Sequence, residues 1–217
     1  MKLKDIYGSN VAGKGPIIPA QTMGQMSGSS QYLPVKERDP KSIKLEDICH
    51  HLAFINRYSG ATPVPNSVAE HTILVHRILV KIGALQFLQL QGLLHDAHEA
   101  YTGDITTPVQ RACVTGLLSI QGRLDKAILK SLGLGSQPNS APVTWAHEVY
   151  AADQQALSNE YYAWFYATAP ESWGAAVLPR AQVIDCPIPL FNDKPAAARE
   201  LFMLITTTLK ALKVKAP

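Results

Sequence analysis

At 217 residues the chain has the length of one ordinary domain, large enough to bury a core. Apolar residues make up 47% of it and charged residues 17%, which excludes an intrinsically disordered chain. A net charge of +3 and a pI near 8.7 favour anionic ligands but fall well short of a nucleic-acid-binding footprint, so no stable nucleic-acid binding is expected. Cys49, Cys113 and Cys186 are scattered and form no CxxC, which argues against a disulfide framework or a cysteine-based zinc site. The opening MKLKDIYGSN is polar, without a signal-type apolar region. The most apolar stretch, 78–94, is broken by Lys81, glutamines and glycines, so it suits a core helix rather than a membrane span. The expectation is a cytoplasmic protein without membrane attachment.

Residues 1–40 are rich in Gly, Ser, Pro and Met without sustained periodicity, and predict a mostly irregular N-terminal arm with room for a small hairpin. The domain proper is expected over 41–217. Leu45, Ile48, Leu52 and Ile55, at three- and four-residue steps, predict a helix from Leu45 to Tyr58. ATPVPN (61–66) is a loop held by two prolines. Ser67 and Glu70 fit a capping box that starts a helix running to about Ile82. The next helix is predicted over Leu85 to Tyr101, with Gly103 as its C-cap. Further helical patterns cover about 108–132, 143–168 and 194–213, with a Pro-containing segment at 169–193. No strand-like alternation and no internal repeat follow residue 40, so the fold class predicted is all-α, a helical bundle.

The segment LLHDAHEAYTGD places His95, Asp96, His98 and Glu99 within five residues and adds Asp104 after Gly103. On one helix, His95 and Asp96 would share a side with Glu99, at steps of four and three. A solvated helix end with a His–Glu pair would show the same spacing. The preceding Gln91-Gly92-Leu93-Leu94 argues for a helix that runs through the interior. Asp153 lies among Val149, Tyr150, Ala156 and Leu157, and His71 among Val68, Leu74 and Val75. A carboxylate on such a face needs a partner or a metal, whereas a lone histidine there is commonly a satisfied core residue. Together His71, His95, Asp96 and Asp153 offer two imidazoles and two carboxylates, a mixed set suited to Mn, Fe, Co or Zn.

In the order His71 … His95-Asp96 … Asp153 the chain resembles the HD-domain metal-dependent phosphohydrolases. Around it, "NRYSG", "NSVAEHTILVHRIL", "LLHDAHEAYTGDITTPV" and "VYAADQQALSNE" resemble the bacterial 5′-deoxynucleotidases and their phage and prophage relatives, phage dNTP triphosphohydrolases included. The lead-in "IKLEDICHHLAFINRYSGAT" resembles the phage-type members, and the resemblance covers roughly residues 30–165. It implies an HD-domain helical bundle in which His71, His95, Asp96 and Asp153 hold one divalent ion, with Mg added to the candidates. Adjacent residues on a helix diverge by about 100°, so that His95 and Asp96 share a metal comes from the resemblance alone. It also implies Glu99 as general acid/base and Asp104 as its assistant or as proton donor to the leaving oxygen. Arg57, at the end of the first helix, would contact the phosphate. Its bland alternative is a helix-end cation serving the last carbonyls. Tyr58 stands where the bacterial mononucleotidases carry Trp, which bears on sugar or base contacts. His98 is expected at the solvent or behind the site, and His50 and His51 in packing or supporting positions. His76 and His147 are expected to point elsewhere, and Trp145, Trp164 and Trp173 to be core.

The activity implied is water attack at the phosphorus nearest the sugar of a (deoxy)nucleotide. On a dNTP this releases deoxynucleoside and triphosphate; on a dNMP, the 5′-deoxynucleotidase alternative, it releases nucleoside and phosphate. The phage-like lead-in and basic balance lean toward the triphosphate, and toward host cytoplasm if the chain is phage-encoded. A signalling-nucleotide phosphodiesterase and a non-catalytic nucleotide-binding protein are the other classes; the former would need a longer groove or a second metal pair, and no second HD-type pair occurs. A homo-oligomer is a family expectation.

Overall fold

The computed structural model describes residues 39–134, 144–169, 173 and 176–214, so the expected arm lies outside the described residues except for its last positions. Among the described residues the fold is all-α, as predicted; an isolated antiparallel bridge joins Asn56 to Ser67. No described helix is long and apolar enough to cross a membrane.

Helix α1 (Leu45–Phe54) lays Ile48, Cys49, Leu52 and Ala53 on the core. It stops four residues short of the predicted end at Tyr58. Ile55 turns extended, the bridge follows, and Tyr58 and Ser59 adopt left-handed φ of 54° and 53°. Left-handed backbone costs a residue with a side chain about 1–2 kcal/mol. Asp104 Oδ2 offsets part of this by accepting the Tyr58 N–H at 3.2 Å. Arg57 therefore lies beyond α1, in a short turn, rather than at its end.

Helix α2 (Val68–Lys81) starts on the predicted capping box, Ser67 with Glu70. Only Arg77, Val80 and Lys81 of its residues reach the surface. A helix buried on nearly every side needs neighbours on every side. It has them in α1, α3 (Gln86–Leu94), α7 (His147–Trp164) and α8 (Lys194–Ala211). Glu70 is buried too, and its carboxylate accepts from Ser67, the Phe191 N–H and Lys194, tying the start of α2 to α8.

The predicted continuous helix to Tyr101 breaks after Leu94. Over His95–His98 the backbone closes three-residue bonds, Ala97 N to Leu94 O and Glu99 N to Asp96 O. Helix α4 (Glu99–Thr102) then resumes, and Gly103, at φ 76°, ends it as predicted, its N–H donating to Glu99 O at 2.8 Å. The pattern over 108–132 is likewise two helices, α5 (Thr107–Ala112) and α6 (Val114–Ser131), parted at Cys113.

The segment 176–190 has little helix of its own and lies along α7. Gln155, Ser158 and Asn159 bond its backbone at Gln182, Ile184, Leu178 and Cys186. This meets the requirement that backbone polar groups near the interior find partners. It also explains why so polar a helix as α7 can pack.

Gly92 marks the closest approach of α3 to α2: a Cβ there would overlap Leu79 Cδ1 and press on Val75 Cγ1, both fully buried. Gly92→Val is therefore expected to cost about 2 kcal/mol or more of stability, read as a lower urea midpoint with an unchanged slope.

Candidate metal centre

His71, fully buried on α2, is held at both nitrogens. Its Nε2 lies 2.9 Å from Asp153 Oδ1 and its Nδ1 2.9 Å from Glu160 Oε1. His95, at the end of α3, has Nδ1 2.9 Å from Gly92 O. A carbonyl only accepts, so Nδ1 carries the proton there and the neutral ring keeps its lone pair on Nε2. That Nε2 is buried without a hydrogen-bond partner, although Asp96 Oδ2 is 3.1 Å away, out of hydrogen-bond alignment. Adjacent side chains diverge by about 120° in such a turn, so the two residues meet through the reach of their side chains, Asp96 Oδ2 curling back to His95 Nε2.

Two further separations are 3.9 Å, from His71 Nε2 to Asp96 Oδ2 and from His95 Nε2 to Asp153 Oδ1. One donor atom each from His71, His95 and Asp96 falls within 4.8 Å of the others. Metal–ligand bonds of about 2.0–2.2 Å place neighbouring donors roughly 3–3.5 Å apart. The cluster fits a divalent cation, and the orphaned Nε2 of His95 is the kind of atom such an ion would satisfy. Asp153, expected in the middle of an apolar face, sits at its edge: its side chain is 41% exposed, so the centre opens to solvent on that side.

The carboxyl groups divide by their partners. Burial would raise Asp96, but His95 and then His71 hold it well below the usual range, and bonding to His71 likewise lowers Asp153 against its burial. Burial, followed by Asp96 and Asp104, drives Glu99 well above its ordinary value, and its Oε2 is buried without a hydrogen bond. Asp104 is raised by burial despite Arg57. Burial and Arg57 press His71 downward, yet Glu160 and Asp153 outweigh them and raise it to about 9. His95 is raised by Asp96 against its burial.

Glu160, the last residue of VYAADQQALSNE, is assigned no role by the sequence. It is fully buried and receives five hydrogen bonds: Arg57 Nε and Nη2 at 3.2 and 3.1 Å, Tyr58 OH at 2.5 Å, Asn66 Nδ2 at 3.2 Å and His71 Nδ1. Burial opposes its charge, but Arg57 and His71 lower it to about 2. The available signal was its place seven residues after Asp153, two turns along the same face of α7. Arg57 and Tyr58, expected at the substrate, both commit polar atoms to Glu160. The Tyr58 ring also packs 5.0 Å from Phe165 and 6.0 Å from Trp173.

His98 faces inward rather than toward solvent: its Nδ1 is 3.0 Å from Asp125 Oδ1 on α6. His51 donates from Nδ1 to Ala100 O at 2.9 Å, and His50 packs on Phe54, both supporting roles as expected. His76 is buried and His147 is exposed. Trp145 packs on the main core and Trp173 on Phe165 at 4.5 Å, while Trp164 is half-buried.

No family model matches the chain. Over 129 residues it is 36% identical to an uncharacterized protein of Rhodobacter capsulatus, and over 129 residues 29% identical to the uncharacterized protein YfdR of Escherichia coli. These matches cover 58% and 59% of this chain and span 64% and 67% of those relatives. Neither relative's name carries an activity.

Proposed function

We propose that the chain is an HD-domain phosphohydrolase that cleaves (deoxy)nucleotides at the phosphorus nearest the sugar, with deoxynucleoside triphosphates as the leading substrate class. The observation that carries this reading is the clustering of His71 on α2 with His95 and Asp96 just after α3, Asp153 of α7 beside them, around a His95 Nε2 that has no hydrogen bond. These four residues would hold a divalent ion of Mn, Co, Zn, Fe or Mg type. When bound, such an ion supplies Lewis acidity toward a phosphoryl oxygen and makes water more acidic.

The protein's own groups supply positioning and proton transfer. Glu99 orients the attacking water and exchanges a proton at the unbonded Oε2. Asp104, a second carboxyl raised by burial, assists it or protonates the departing 5′ oxygen as the P–O5′ bond breaks. Arg57 presents its guanidinium to the phosphate from a position fixed by Glu160. Tyr58, its hydroxyl already given to Glu160, and the exposed part of the loop at 61–66 are our candidates for sugar or base contacts. The products are deoxynucleoside and triphosphate.

A 5′-deoxynucleotidase reading uses the same residues. One observation favours it: Arg57 is the guanidinium bonded in beside the cluster among the described residues, and one guanidinium suits one phosphate. Both readings place the protein as a nucleotide-metabolising hydrolase.

Two outcomes test this. Mn²⁺ at a hundredfold excess over its Kd is expected to stabilise the fold by about 2.7 kcal/mol, seen as a higher Tm that EDTA reverses and His95→Ala abolishes. In a panel of dNTPs and dNMPs with Mn²⁺ or Co²⁺, triphosphate release is expected from one or more dNTPs. Glu99→Gln is expected to lower turnover by about 10²–10⁴-fold. Orthophosphate from dNMPs alone selects the nucleotidase. Binding without turnover, indifferent to Glu99→Gln, would sink both.

A further inference from the structure

We infer that Glu160 is a positioning residue that couples the cation site to the phosphate-facing guanidinium, by fixing His71 and Arg57 on one buried carboxylate. The inference rests on the reading of His71 as a metal ligand and goes beyond it, because it makes the two halves of the site a single unit.

The geometry carries it. Oε1 faces His71 Nδ1 at 2.9 Å and Asn66 Nδ2 at 3.2 Å; Oε2 faces Arg57 Nε, Arg57 Nη2 and the Tyr58 hydroxyl. Each of these partners can donate to an anion. A carboxylate at Nδ1 keeps the His71 proton on that nitrogen and leaves Nε2 to face Asp153, Asp96 and His95. The other oxygen takes two adjacent donors of the guanidinium, so Arg57 can present only its remaining edge outward. Glu160 and His71 have no exposure at all, so the bond between them is shielded from solvent. A glutamine there would turn an NH₂ toward at least two donors in either orientation. It would also leave Arg57 without its counter-charge.

The opposite role is purely structural: a buried ion pair that holds the Arg57–Gly60 turn against α7. That role predicts lower stability and an unaltered cation site in whatever fraction folds. Calorimetric titration of wild type, Glu160→Gln and Arg57→Ala with Mn²⁺ alone, then of the Mn²⁺-loaded proteins with inorganic phosphate, separates the two. Glu160→Gln is expected to weaken Mn²⁺ binding by about 10–100-fold and phosphate binding by at least about threefold. Arg57→Ala is expected to weaken phosphate binding more than Mn²⁺ binding, because His71 keeps its bond to Glu160. Mn²⁺ affinity in folded Glu160→Gln within about threefold of wild type would overturn the inference.

Should that variant fail to fold, the wild-type protein still answers. With Zn²⁺ bound, the long-range ¹H–¹⁵N spectrum of His71 is expected to show a proton on Nδ1; a proton on Nε2 would overturn the coupling. Failure of this inference is distinguishable from failure of the functional reading. Cation binding that collapses in Glu160→Gln, with no nucleotide hydrolysed by wild type, upholds the coupling and removes the phosphohydrolase. A wild-type protein that takes up no divalent cation overturns both.

Discussion

His71 is held between two carboxylates of one helix, Asp153 at Nε2 and Glu160 at Nδ1, and much of the architecture serves to make that arrangement tolerable. A buried anion such as Glu160 is costly unless paired and hydrogen-bonded. Arg57 supplies the charge, and Tyr58 and Asn66 supply the remaining bonds. Arg57 can reach Glu160 because α1 stops at Phe54 and the chain crosses the Asn56–Ser67 bridge into a left-handed turn. The unusual backbone at Tyr58 and Ser59 thus stands next to the most demanding electrostatic requirement in the fold, which is where such strain tends to be tolerated.

A second feature of the site is the break in the helix after Leu94. Three-residue bonding over 95–98 leaves Glu99 at the start of α4, among the same carboxylates. Packing holds the break in place on both sides. Gly92 lets α3 settle onto Leu79 and Val75, and the His98–Asp125 pair fastens the turn to α6. His98 therefore secures the turn that carries the cluster.

The fold class, the capping box at Ser67 and the Gly103 cap were legible because each rests on local signals that bring their own partners. The helix ends at Tyr58 and across His95–His98 were not. Apolar spacing continues through both, and the chain departs from it to satisfy contacts with Ser67, Asp104 and the cation cluster, which are remote or depend on tertiary geometry. The cluster itself was half legible. Charged residues on apolar helices signalled that partners must exist, and family resemblance supplied the convergence of His95 with Asp96. Glu160 escaped because a glutamate late in a polar helix looks solvated; its burial follows from the 176–190 segment covering α7, which no local pattern announces.

Charge balance gives the cluster its chemical direction. Asp96, Asp153 and Glu160 are held in the ionised form, and Arg57 is the one permanent cation bonded into that group among the described residues. With both imidazoles neutral, three carboxylates and one guanidinium leave two negative charges in a largely buried space. A divalent cation carries the matching charge, and protons on the histidines, whose affinities are raised, are the alternative way to meet it. Glu99 and Asp104 respond in the opposite sense. They lie in the field of the ionised group without partners of comparable strength, and so they lean toward the protonated form. A site that keeps one set of carboxyls charged and another set protonatable can bind a cation and transfer a proton with separate residues.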